Sequence, residues 1–212
     1  MRHFLDLADW KSEEIMELLE LALKLKAEWQ NGGNDPILAG QTLGMIFQKP
    51  SLRTRVSFDV AMNHLGGYAV MLGPNEVQLG KRESIADVTR VMAGYVQAIM
   101  ARVFDHQHLL EMAKVSAVPI INGLSDDLHP CQALADMLTI YEHFGDFSKL
   151  KIAYIGDGNN VAASLLVASA HMGANFSIAT PPGMGLPEHV FQRAVEAPAH
   201  PIKIEIYNSP TQ

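Results

Sequence analysis

The 212-residue sequence contains a single cysteine, few aromatic residues (7%) and no long apolar run. One cysteine cannot form a disulfide within the chain, which favours a reducing compartment, so we expect a cytoplasmic protein. No stretch reaches the roughly 18 apolar residues of a membrane span. The N-terminal segment is too acidic for a secretory or transit peptide, so we expect neither.

A basic excess is also missing, because 16 lysines and arginines are outnumbered by 23 aspartates and glutamates, for a net charge of −7. No global positive field can hold nucleic acid or an anionic membrane, so we expect neither as a partner. Any anion site must be local. Hydrophobic residues make up 48% of the chain, which is typical of a packed globular protein.

Short apolar runs alternate with helical patterns along the whole chain. This alternation predicts parallel sheets flanked by helices, an α/β fold. We expect a complete domain over residues 1–147 and the first part of a second, Rossmann-like α/β domain over 148–212. Strands are predicted at 42–47, 68–72, 98–101, 118–121, 151–155 and 176–179, with strand-like alternation from 202 onward. Helices are predicted at 51–65, 84–96 and 160–172 among others.

Two helix starts carry further expectations. Ser12 is predicted to cap the first helix, whose apolar face contains Ile15 and Leu19. In the helix from Ser84, the apolar face is predicted to include Tyr95.

The motif Lys49-Pro-Ser-Leu-Arg-Thr-Arg55 follows a buried strand and opens a helix. Unpaired N–H groups and the helix dipole favour an anion there. Ser51 and Thr54 add hydroxyl groups, and Arg53 and Arg55 add guanidinium groups suited to phosphate. The alternative is a capped helix start with two solvated arginines. Because positions i and i+2 diverge on a helix, we expect one arginine at the ligand and the other in an ion pair.

Two other groups follow predicted strands. Arg102 comes directly after one strand, where it serves either a ligand or a salt bridge to Asp105. His129 and Gln132 open a helix after another strand; both can hydrogen-bond a ligand, although a histidine here can simply cap the helix. Ligands bind at the carboxyl ends of parallel strands, so Ser51, Arg102 and His129 can converge.

Three other sequence features give weaker indications of function. Gly156-Asp-Gly158 resembles half of a dinucleotide-binding fingerprint, but Val161 takes the third glycine position, so a nicotinamide-dependent oxidoreductase is the weaker alternative. Cys131 is expected to pack rather than act as a nucleophile. The pair His106 and His108 lacks further ligands at suitable spacing, so no metal site is expected.

In their order along the chain, these motifs resemble the aspartate/ornithine carbamoyltransferase family. The loop Phe47 to Phe58 resembles the family's carbamoyl-phosphate loop, and Leu79-Gly-Lys-Arg-Glu-Ser84 resembles its mobile loop. The further matching segments are Ala101-Arg-Val-Phe104, Asn122-Gly-Leu-Ser125, His129-Pro-Cys-Gln-Ala-Leu-Ala-Asp136 and Gly156-Asp-Gly-Asn-Asn-Val161.

The resemblance assigns roles to residues. It implies that Ser51, the backbone of Leu52, Arg53 and Thr54 hold the phosphate of carbamoyl phosphate. Arg102 and His129 would polarise its carbonyl group as catalytic residues, and Gln132 would bind the amino end. The remaining implied contacts are Pro130 and Cys131 to carbamoyl phosphate, Asn160 to L-ornithine, and Gln78 to the active site of a neighbouring subunit.

The resemblance also implies a reaction and an assembly. The neutral δ-amine of L-ornithine would attack the carbonyl carbon of carbamoyl phosphate, giving citrulline and phosphate in arginine metabolism. No metal or organic cofactor is implied. The expected assembly is a homotrimer or a multiple of trimers.

Two departures from the family pattern bear on these expectations. Leu52 stands where the family more often has threonine, which leaves a backbone contact intact. The family's later Asp…Ser-Met-Gly and His-Cys-Leu-Pro segments have no counterpart, so we expect an N-terminal portion of such an enzyme, binding carbamoyl phosphate without forming citrulline. A non-catalytic phosphate-binding or assembly module stays open, as do aspartate, acetylornithine and putrescine as acceptors.

Overall fold

The computed structural model describes residues 1–196 and 201–211. The chain divides into two compact units, one built from residues 1–5 and 24–126 and the other from residues 6–23 and 127 onward. Each unit has its own parallel sheet, so the predicted α/β class is confirmed. The predicted boundary after residue 147 follows helix α6 (Pro130–Phe144), whereas the second unit already includes that helix.

The first sheet has four parallel strands in the order β2-β1-β3-β4. Phe47 at the end of β1 lies opposite Arg102 at the end of β3, so the carboxyl ends of the central strands meet at one edge. The β3–β4 register shifts between Ala101 and Arg102, an irregularity common next to functional sites. Helix α1 is Ser12–Gln30, and the elements that follow are β1 (Thr42–Phe47), α2 (Leu52–His64), β2 (Tyr68–Leu72), α3 (Pro74–Val77), α4 (Ile85–Ala93), β3 (Ala98–Arg102), α5 (His106–Val115) and β4 (Ile120–Leu124).

Both faces of the first sheet carry a hydrophobic core. On one face Ile99 packs in a cluster with Val88 of α4 and Leu109 of α5. On the other face Phe47 packs in a cluster that Phe58 of α2 partly covers. Strands buried on both faces read as continuous apolar runs, which is why the sequence predicts them well.

The second unit is built around a three-stranded parallel sheet in the order β5-β6-β7. Its central helix α7 packs against α6 and α8, and its residues 162–171 are buried. Asp6 forms an ion pair with Arg193 of α8. After α6, the elements are β5 (Lys151–Ile155), α7 (Asn160–Met172), β6 (Asn175–Ala179), α8 (Glu188–Glu196) and β7 (Ile204–Tyr207).

The predicted bounds of β1, β2, β5 and α7 are confirmed, and three other predictions are wrong. Tyr95 is 79% exposed, because α4 ends before Gly94. The strand predicted at 118–121 begins at Ile120, since Pro119 has no N–H for the sheet. Ser12 is the first residue of α1 rather than its cap, and its hydroxyl lies 3.2 Å from Nδ1 of His171. Among residues 1–196 and 201–211, every helix is too short or too polar to cross a bilayer.

Candidate active site

The loop after β1 ends in a capped helix start. Ser51 has extended backbone angles, and its Oγ accepts a hydrogen bond from the backbone N–H of Thr54 at 3.3 Å. The N–H groups of Leu52 and Arg53 belong to the first helical turn and have no acceptor in the part of the chain that the structure describes. The side chain of Leu52 is apolar and 76% exposed, so its backbone N–H is the group that can donate a hydrogen bond to an anion at this turn.

Arg102 joins this helix start from the neighbouring strand. Its Nη1 donates a hydrogen bond to Thr54 Oγ1 at 3.4 Å, and the backbone N–H of Gln48 donates to its carbonyl oxygen at 2.9 Å. Its Nε is buried and has no acceptor among the described residues. Burial lowers the pKa of Arg102, and the positive charge of Arg53 lowers the pKa further.

The three arginines at this edge lack acidic partners in the described part of the chain, whereas Lys49 pairs with Asp126 at 3.2 Å. No carboxylate in residues 1–196 or 201–211 forms a salt bridge with Arg53, Arg55 or Arg102. The salt bridge considered between Arg102 and Asp105 is absent, because Asp105 caps α5 by accepting from the N–H of Gln107. The prediction that either Arg53 or Arg55 forms an ion pair is also wrong for the described residues. A dianion would complete this arrangement of cations and N–H groups.

Gln48 holds this edge together, a role that the sequence reasoning missed. Its Nε2 donates to the carbonyl oxygen of Leu79 at 3.0 Å, and its Oε1 accepts from the N–H of Phe104 at 3.2 Å. Nδ1 of His108 lies 3.2 Å from the same Oε1. One amide therefore links the end of β1 to the end of β3 and to the loop after α3.

Gln78 lies apart from the phosphate loop. It is the only non-glycine residue with a positive φ among those described, with φ 51° and ψ 51°, and it ends α3. It lines a cavity of about 430 Å³ together with Gln48, Phe104 and His108. None of Ser51, Thr54 and Arg102 lines that cavity.

The start of α6 carries the remaining predicted contacts to carbamoyl phosphate. His129 occupies the N-cap position, yet its side chain does not cap the helix. Its backbone N–H instead donates to Ser164 Oγ on α7 at 2.8 Å. Pro130 takes the first helical position, and Nε2 of Gln132 donates to Asp136 Oδ1 at 2.9 Å. Sequence reasoning missed Ser164 and Asp136, although the four-residue spacing of Gln132 and Asp136 marks them as helix neighbours.

Cys131 is half-buried and lies in the first turn of α6. Burial raises the pKa of its thiol to about 12, and a hydrogen bond with its own backbone opposes the rise. A thiol that stays protonated is a poor nucleophile, which supports the packing role.

The glycine-rich turn before α7 is filled by another loop of its own unit. The N–H of Gly158 donates to the carbonyl oxygen of Met184 at 2.6 Å, so it is not presented to a phosphate. A Cβ at Gly158 would lie 2.5 Å from the carbonyl carbon of Gly185. Asn159 caps α7, and Asn160 is the first helical residue.

The paired histidines serve other contacts. Nδ1 of His106 lies 2.9 Å from Ser125 Oγ, and His108 contacts Gln48. Within the described ranges, no cluster of three or more histidine, cysteine or acidic residues could hold a metal ion.

Comparison with known protein families shows which family the chain belongs to. The family model for the carbamoyl-P binding domain of aspartate/ornithine carbamoyltransferase matches residues 2–142, and the model for the Asp/Orn binding domain matches residues 148–212. The chain belongs to the aspartate/ornithine carbamoyltransferase family. The resemblance stated from the sequence motifs is thereby confirmed.

Individual relatives are similar over nearly all of this chain. It is 47% identical over 199 residues to an ornithine carbamoyltransferase of Haloquadratum walsbyi, covering 94% of this chain and 65% of that protein. It is 52% identical over 193 residues to one of Anoxybacillus flavithermus, covering 91% of this chain and 62% of that protein. The chain thus spans somewhat less than two thirds of these curated relatives.

Solved structures give the same result. Ornithine carbamoyltransferase from Pyrococcus furiosus matches with a TM-score of 0.95 and 48% identity, covering 99% of this chain and 67% of that one. The catalytic subunit of M. jannaschii aspartate transcarbamoylase matches with a TM-score of 0.84 and 30% identity, covering 100% of this chain and 70% of that one.

Proposed function

We propose that this chain binds carbamoyl phosphate with its phosphate at the start of α2. The observation that carries the proposal is that Arg102 contacts the first turn of α2 and repels the charge of Arg53 there, while neither arginine has an acidic partner in the described chain. Two like charges held close together repel each other when no ligand is bound. A bound dianion attracts both cations, and this attraction outweighs their repulsion. Ser51, Thr54 and the N–H groups of the first turn complete the phosphate contacts.

The proposed reaction transfers the carbamoyl group to an amine. Arg102 and His129 polarise the carbonyl group of carbamoyl phosphate, Gln132 contacts its amino end, and Pro130 and Cys131 supply neighbouring contacts. The acceptor's neutral amine forms a bond to the carbonyl carbon, the bond to the phosphate oxygen breaks, and the amine proton passes to the departing phosphate. Fixed cations stabilise the charge that develops on the carbonyl oxygen and the leaving phosphate. Holding two substrates together supplies much of the rate gain.

L-Ornithine is the acceptor that we propose, which gives citrulline and phosphate. Support comes from relatives named ornithine carbamoyltransferase at 47–52% identity, against 30% for the aspartate transcarbamoylase subunit. Asn160, in the first turn of α7, is the proposed contact to the ornithine α-amino acid group. We place the protein in the cytoplasm, where its single cysteine stays reduced.

We further propose that Gln78 completes the site of a neighbouring copy in a homotrimer. Two observations support this assignment. Gln78 makes no hydrogen bond to Ser51, Thr54 or Arg102 in the described chain, and it holds an uncommon left-handed conformation of the kind found at functional sites. Sedimentation velocity tests the assembly, and a monomer at working concentration contradicts it.

Isothermal titration calorimetry with freshly prepared carbamoyl phosphate tests the binding proposal. We expect heat from a site whose affinity falls as ionic strength rises, since the contacts are charged. Absence of binding in a folded sample contradicts the proposal. Inorganic phosphate is expected to compete for the same site.

A second candidate is a non-catalytic module that binds carbamoyl phosphate, a role for which the contacts at the start of α2 suffice. Product formation separates the two candidates. Citrulline from L-ornithine supports the transferase, and product from aspartate, acetylornithine or putrescine instead corrects the acceptor. Binding of carbamoyl phosphate with none of the four acceptors consumed supports the module.

A further inference from the structure

One side chain without a role so far lies beside a proposed ligand contact. Asp136 is one turn after Gln132 on α6, and its Oδ1 accepts a hydrogen bond from Gln132 Nε2 at 2.9 Å. Both residues belong to the second unit. The pairing of an amide with a carboxylate four residues later is a local feature of the helix surface.

The chemistry of this pair decides which way the amide of Gln132 faces. An ionised carboxylate only accepts hydrogen bonds, so it selects the NH₂ end of the amide. Burial raises the pKa of Asp136, and the hydrogen bond from Gln132 opposes that rise by stabilising the charged form. In the charged form Asp136 therefore holds Gln132 Nε2 toward itself.

The other end of the amide is then an acceptor. Oε1 of Gln132 receives no hydrogen bond from any residue that the structure describes. An acceptor held in this orientation is complementary to an N–H donor of a ligand. A methyl group in the same place would leave it without a partner.

We propose that Asp136 is a positioning residue, which fixes the amide of Gln132 so that the site selects a carbamoyl over an acyl phosphate. This inference rests on the proposed function, in which Gln132 meets the amino end of carbamoyl phosphate. Acetyl phosphate is the matched probe, because it carries a methyl group where carbamoyl phosphate carries its amino group. Asp136 touches neither ligand; it acts through Gln132.

The experiment measures the dissociation constants of both ligands by calorimetry on the full chain. The native chain is expected to prefer carbamoyl phosphate by roughly fivefold, the value of one net hydrogen bond. Asp136→Asn has the same shape but can both donate and accept, so it no longer fixes the amide. Its preference is expected to fall toward one, through weaker binding of carbamoyl phosphate alone.

Asp136→Glu is the matched control, because it remains an acceptor and is expected to retain most of the preference. A merely structural role predicts a different result, in which both ligands weaken together and the ratio stays native. Lowering the pH provides an independent measurement on unaltered protein: protonation of Asp136 should reduce the native ratio and leave that of Asp136→Asn unchanged.

The outcomes separate this inference from the proposed function. Failure of the native chain to bind either ligand contradicts the proposed function. Binding of both with an equal ratio in native protein and Asp136→Asn overturns the positioning role alone. A native chain without preference for carbamoyl phosphate overturns it as well.

Discussion

Nη1 of Arg102 lies 3.4 Å from Oγ1 of Thr54, which places a partly buried guanidinium group of β3 against the first turn of α2. The adjacent charge of Arg53 and the burial both lower the pKa of Arg102. Such an arrangement costs stability in the unliganded protein and favours an anion. The presence of Arg53 and Arg102 at this position is therefore explained by ligand binding rather than by a contribution to folding stability.

The first prediction concerns Arg102→Gln. We expect carbamoyl phosphate affinity to fall about tenfold or more, because hydrogen bonds to a charged group are lost. Without ligand, the variant should melt at the same or a higher temperature than the native chain, since a repulsion is removed. Calorimetry and thermal melts measure the two effects.

Arg90→Gln is the control for that experiment. Arg90 is exposed on α4 and pairs with Asp87 at 3.3 Å, so its replacement should leave binding unchanged. Native affinity in Arg102→Gln would contradict a phosphate contact by this residue.

The second prediction separates two roles of Ser51. Ser51→Ala removes the cap on the Thr54 N–H and should lower the free energy of unfolding by about 1 kcal/mol. Ser51→Asp retains a capping oxygen but adds a negative charge, so stability should be kept while phosphate binding is lost. Urea denaturation gives the stabilities. Phosphate binding by Ser51→Asp at native strength would place the anion elsewhere.

The third prediction concerns pH. His171 is buried near Ser12, Asp6 and Glu13, and burial lowers its pKa in spite of the opposing hydrogen bond and acidic charges. The unfolded chain then takes up a proton at an ordinary histidine pKa of about 6.5, while the folded chain does not. The unfolding free energy should therefore decrease as the pH falls below that value.

His171→Asn should flatten that part of the stability profile, measured by urea denaturation between neutral and mildly acidic pH. His143→Gln, at an exposed position on α6, is the control and should retain the native slope. An unchanged slope in His171→Asn would assign the acid sensitivity to other groups.

The fourth prediction concerns thiol chemistry. With the pKa of Cys131 raised to about 12, iodoacetamide at mildly alkaline pH should react slowly with the folded chain and rapidly in urea. Thr139→Cys adds a thiol at an exposed position of the same helix and should react at an ordinary rate. Equal rates at both positions would show that the Cys131 thiol is accessible.

Local features of the candidate site were readable from the sequence. The helix start after Ser51 and the helix start at His129 are predicted because each depends on residues a few positions apart. Strand β3, which ends at Arg102, is predicted as far as Ala101 because a parallel strand buried on both faces must be apolar throughout.

The alternation of strands and helices, the helix starts and the family all follow from the amino-acid sequence. The open interpretations of individual side chains are resolved by contacts in the folded chain. Arg102 meets Thr54 rather than Asp105, Gln48 links two strand ends to a distant loop, and Gly158 packs against residues 184–186. Capping and periodicity arise from neighbours along the chain, whereas these contacts join segments tens of residues apart, whose meeting depends on sheet order and register.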